Sequence, residues 1–94
     1  LERLSEIIGA VHYLRNLCMD KAEDNWRASM QRLIDMEAAN EPKRQEKLTA
    51  AFNRGYRSFA AIYTACTDSA VVAEERYRNE GATLATEITA RFGN

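Results

Sequence analysis

Few side chains in this sequence can do chemistry beyond packing. They are one histidine, His12, two cysteines, Cys18 and Cys66, and a handful of charged residues standing where apolar ones belong. A metal site on His12 would need a Cys, Asp or Glu one helical turn away, and Ile8 and Asn16 occupy those positions. As a general base it would need a nucleophile or carboxylate close by. It reads instead as a hydrogen-bonded histidine at the edge of a core. There is no Gly-rich phosphate loop, no Ser-His-Asp set and no metal cluster in the pattern. Carboxylate pairs such as Glu74 with Glu80, or Asp35 with Glu37, are too common on helices to mark an acid–base pair. The sequence therefore predicts a non-enzymatic protein with no cofactor and no metal.

Arg15 is the sharpest anomaly, because helical spacing puts it inside an apolar arc, between Leu4 and Ile8. A guanidinium there must be paired, or its desolvation is prohibitive. Glu74 breaks the pattern in the same way, falling between Ala70, Tyr77 and Gly81. The two are expected to form a buried ion pair, with His12 or Tyr77 contributing. The competing reading is a small anionic ligand held by Arg15. His12 and Tyr13 are the candidate ligand contacts, Tyr13 because it lies farthest from its helix's apolar face. Lys43, Lys47, Asn53, Arg54 and Arg57 project away from the Phe52–Phe59 face, a candidate docking surface for an acidic protein or an anionic envelope component. Such a stripe is also what an ordinary solvated helix face looks like. Trp26 and the tyrosines at 13, 56, 63 and 77 read mainly as core and edge packing.

These residues must be positioned by a small structure. The chain has 94 residues, 46% apolar and 29% charged, ordinary for one globular domain spanning 1–94. Thirteen basic against fourteen acidic side chains give a net charge of -1, which argues against a nucleic-acid binder. The longest apolar run, Phe59–Tyr63, is far short of the roughly 18 residues needed to cross a bilayer. The chain opens on Leu1 rather than methionine, as a processed or trimmed product does after a leader is removed.

With four glycines and one proline, punctuation is scarce, and the apolar spacing is helical almost throughout. A first helix over about 1–18 gathers Leu4, Ile7, Ile8, Val11, Leu14 and Cys18 on one face. A second, from near Asp24 to Ala39, gathers Trp26, Met30, Leu33 and Ile34. Pro42 starts a third, whose stripe runs from Leu48 through Phe52, Gly55, Tyr56, Phe59, Ile62 and Tyr63 to Cys66. Thr67 is a candidate N-cap for a fourth, favoured by Asp68 and lined by Ala70, Tyr77, Gly81, Leu84, Ile88 and Phe92. Glu23, Asp24, Glu74 and Glu75 cluster near helix starts. The fold class predicted is all-α, a four-helix antiparallel (up-down-up-down) bundle. Gly55 and Gly81, inside apolar stripes, mark close helix approach.

Cys18 and Cys66 each end an odd-numbered helix. In such a bundle both reach the same end, as a disulfide requires. Closing that loop would stabilise the fold by roughly 4 kcal/mol. Two buried free thiols in a reducing compartment fit the same positions. A redox-active pair fits less well, since the spacing is nothing like C-x-x-C.

The stretches HYLRNLC at 12–18, FNRGYRSF at 52–59 and YTACT at 63–67, with Trp26-Arg27 and Glu80-Gly81-Ala82, resemble a family of small alphaproteobacterial proteins. That family is a domain of unknown function, made with a signal peptide and expected in the periplasm. Asp68 departs from it, standing where a proline is expected, and both residues suit a helix start. The resemblance covers nearly the whole chain and implies an oxidising compartment, which favours the Cys18–Cys66 bridge. It implies no activity. The function expected is a periplasmic interaction or structural module of the envelope, with a small-ligand binder using Arg15 as the alternative.

Overall fold

Scarce punctuation decides where the helices stop. The computed structural model of the chain describes residues 2–18 and 25–92, with side chains for 2–18 and 27–87. These residues form α1 (Glu2–Cys18), α2 (Asn25–Ala38), α3 (Pro42–Ile62) and α4 (Asp68–Phe92), with no strand among the described residues. The expectations for Glu23 and Asp24, and for the side chains of Trp26, Ile88 and Phe92, fall outside the described residues.

Between α2 and α3 the Glu41 N–H donates to the Ala38 carbonyl at 3.1 Å. Pro42 then opens α3 at a position where its missing N–H costs nothing. The first turn of α3 also covers the bare end of α2. Gln45 Nε2 donates to the carbonyls of Ala38 and Ala39 at 2.6 and 3.1 Å, and Arg44 Nη1 to that of Glu37 at 3.0 Å. Thr67 caps α4, its Oγ1 accepting from the Ala70 N–H at 3.2 Å, with Asp68 beside the positive end of the helix dipole.

Helix α3 stops at Ile62, where Tyr63 turns extended and its N–H returns to the Phe59 carbonyl. The expected stripe through Ile62, Tyr63 and Cys66 therefore breaks. Ile62 is 67% exposed, and Tyr63 and Cys66 belong to the α3–α4 connection. Once the backbone leaves the helix, helical spacing no longer sets where a side chain points.

The larger correction concerns α1. It packs against α2, α3 and α4, while α2 also packs on α3. Every residue from Ile7 to His12 is buried, so α1 is covered on all sides there rather than along one face. The uncharged run Ile-Ile-Gly-Ala-Val-His permits this. Along α1, Ile7 lies beside Gly81 while Arg15 meets Glu74, so α4 runs back against it. Leu4 shares a core cluster with Leu48 while Cys18 joins Cys66, so α3 runs in the same general sense as α1.

Where α1 crosses α3, backbone meets backbone. A Cβ added at Gly9 would collide with the Phe52 carbonyl oxygen, and one at Gly55 with the Glu6 carbonyl oxygen. The glycine Cα hydrogens therefore aim at those carbonyls, as in Cα–H···O contacts. One turn before each glycine stand Ser5 and Ala51, both fully buried. Gly55 is thus a close-approach residue for a backbone reason, and so is Gly9, which lies off the face deduced for α1. Gly81 differs, since its added Cβ would meet only Ile7 Cγ2 at 3.1 Å.

Candidate functional site

Cys18 and Cys66 are joined in a disulfide with Cα atoms 5.1 Å apart, fastening the end of α1 to the α3–α4 connection. A bond closing 48 residues of chain constrains the unfolded state by about 4 kcal/mol on the chain-entropy argument.

Above it, Arg15 Nη1 donates to Glu74 Oε1 at 3.1 Å. Glu74 is nearly buried, its side chain 7% exposed, and α4 supplies it a second cation. Arg78 Nε donates to the same Oε1 at 2.9 Å, from one turn further along α4. The i, i+4 spacing of Glu74 and Arg78 is a readable sequence signal for that contact. Tyr77 packs edge-to-face on Phe59, with ring centroids 4.9 Å apart, and lies under the Arg3 guanidinium at 5.3 Å.

His12 is more deeply set than an edge position. It is buried against the rings of Phe52 and Tyr56, with Asn16 Nδ2 3.4 Å from its Nε2. Tyr13 is half-buried rather than an exposed recognition residue. Its hydroxyl donates to the Tyr63 carbonyl and its ring stands edge-on to Tyr56 at 5.1 Å. Both differences have one cause: α3 covers the side of α1 that a one-faced helix would leave to solvent.

The basic residues of α3 divide. Lys43, Lys47, Arg54 and Arg57 are exposed. Lys43 and Lys47 border a hollow shared with Glu2, Arg3 and Arg44, whereas Arg54 and Arg57 line another along α3 itself. Arg54 Nε is tied to Glu6 Oε2 at 3.3 Å. Asn53, expected to point away from the core, is half-buried and also lines a hollow beside Met30 and Ile34 of α2.

Arg3 carries a contact that spacing alone does not reveal. It grips Glu80 through Nε and Nη2 at 2.9 and 3.1 Å and reaches Glu6 at 3.3 Å, so a line of charges runs Arg54–Glu6–Arg3–Glu80 from α3 across α1 to α4. The hydrogen bond to Glu80 holds the Arg3 guanidinium even more firmly protonated than usual, against the opposing effect of burial. This line is solvent-exposed, so each pair contributes under about 1 kcal/mol.

The class defined by this geometry is a small all-helical protein pinned by a disulfide at one end. The chain belongs to the family described as "Protein of unknown function (DUF2385)", which it matches over residues 1–92. No curated protein and no solved structure matches it. None of the described helices is long and apolar enough to cross a membrane, and no group of three or more His, Cys, Asp or Glu among the described residues could hold a metal ion.

Proposed function

We propose that this chain is a non-enzymatic interaction or structural module of the cell envelope, working in the periplasm and docking through α3 onto an acidic protein or an anionic envelope component. The observation that carries the reading is the outer face of α3, where Lys43, Lys47, Arg54 and Arg57 all stand exposed. Arg54 is engaged by Glu6, which leaves Lys43, Lys47 and Arg57 as the residues that would meet a partner. The disulfide supports an oxidising compartment, where such bonds persist. The alternative, a small-anion site on Arg15, is less favoured because that guanidinium already bonds the nearly buried Glu74.

The test is association with phosphatidylglycerol vesicles and with polyglutamate, measured from ~20 to ~300 mM NaCl. The reading expects binding to one of them that weakens with salt and is lost when Lys43, Lys47 and Arg57 are all changed to Glu. Binding that ignores both salt and the triple change would contradict it, as would no binding to either.

A further inference from the structure

Helices α2 and α4 both lie on α1 but, among the described residues, make no backbone approach to each other, and a groove stays open between them. Its exposed lining is Met36 with the half-buried Leu33 on one side and Ala82 and Ala85 on the other, over Leu4, Ile7 and Ile8 of α1, which are themselves buried. It holds about 390 Å³, and Met36 on its lip is 80% exposed. Ligand sites run from about 300 to 1,000 Å³. Apolar surface of this kind gains by being removed from water.

Charge chooses among occupants. Arg32 from α2 and Arg78 from α4 also line the groove, and among the described residues no carboxylate does. The described contact of Arg32 is with a hydroxyl, Ser29 Oγ at 3.2 Å. Arg78 Nε donates to Glu74 at 2.9 Å, and its side chain is 45% exposed. Size chooses further. An α-helix about 10 Å across would fill more than ~1,000 Å³ over three turns, far above what the groove holds. A single hydrocarbon chain is thin enough to lie in it, and the flexible Met36 can fold over one.

We infer that this groove binds an anionic amphiphile with one apolar tail, of the fatty-acid class. The tail lies between Leu33 and Met36 on one side and Ala82 and Ala85 on the other, above the buried Ile7, and the carboxylate meets Arg32 with Arg78 opposite. The site is separate from the α3 face and stands whether or not that face docks a partner.

The test is calorimetric titration of the whole oxidised chain with dodecanoate, kept below its micelle-forming concentration, and with dodecyltrimethylammonium as the cationic counterpart. One dodecanoate should bind per chain, with the cation at least ~10-fold weaker because it forfeits the charge-assisted contact. Ala82→Phe, which fills the groove, should abolish binding, and Arg32→Glu should weaken it by ~10-fold or more. Should Ala82→Phe disturb the fold, Arg32→Glu decides alone, since Arg32 is exposed. The inference is overturned by the absence of saturable dodecanoate binding, by equal binding of the cation, or by binding that survives both variants. A concentration-dependent dimer broken by Ala82→Phe, with no dodecanoate bound, would make a second copy the occupant and overturn it too.

Discussion

The two sides of α1 are built on different principles. Toward α3 the helices meet backbone to backbone at Gly9 and Gly55, with Ser5 and Ala51 beside them and a covalent bond beyond. Toward α4 the glycine at the contact, Gly81, faces the Ile7 side chain rather than backbone, and α2 and α4 leave a groove between them. A backbone contact has no rotamer to give, so the first side should tolerate almost no added volume. The second can shift side chains, so it should absorb change and offer a surface. Fixity and accessibility are thus divided between opposite faces of one helix.

That contrast can be broken or sharpened by substitution. The largest effect should follow loss of the disulfide: the Cys18→Ser, Cys66→Ser double variant should lose about 4 kcal/mol, read by denaturant unfolding, because the α1–α3 ends are no longer held. Next, Gly9→Ala should cost about 3 kcal/mol, the upper end for overpacking, since the Phe52 carbonyl cannot rotate away. Glu74→Leu should cost about 2 kcal/mol, below the range for fully buried pairs because both arginines reach solvent. Adding Arg15→Met to it should cost less than the sum of the single changes, as expected when one interaction links the two sites. The smallest effect should be Arg54→Ala, under about 1 kcal/mol, because its bond to Glu6 is exposed.

Much of the fold was legible because its signals are local. Pro42 and Thr67 act within one turn of themselves, and apolar spacing reports the helix between them. Cys18 and Cys66 were legible as a possible pair, but either redox state fitted the spacing, and it was the resemblance that favoured the bridge. Arg15 and Glu74 each contradicted a stripe, and two opposite charges in apolar arcs have few alternatives to meeting. What escaped the sequence depends on how many neighbours a helix has. Spacing assigns one buried face by default, so for α1, covered all round from Ile7 to His12, it gives no sign that Gly9 is a contact and places Tyr13 in solvent. The Arg3–Glu80 contact joins residues far apart in the chain through exposed groups, and no pattern within either helix announces it.

The division between the two sides is tested most directly by two matched substitutions, Gly55→Ala and Gly81→Ala, compared by equilibrium denaturation of the oxidised protein. Each adds one methyl to a helix interior and gains up to about 1 kcal/mol in helix propensity. At Gly55 the methyl collides with the Glu6 carbonyl, and at Gly81 it meets the Cγ2 methyl of Ile7, which has only to give by a few tenths of an ångström. The expected result is a loss of about 3 kcal/mol at Gly55 and a change within ~0.5 kcal/mol at Gly81. Equal effects at the two positions, or a larger loss at Gly81, would contradict the account.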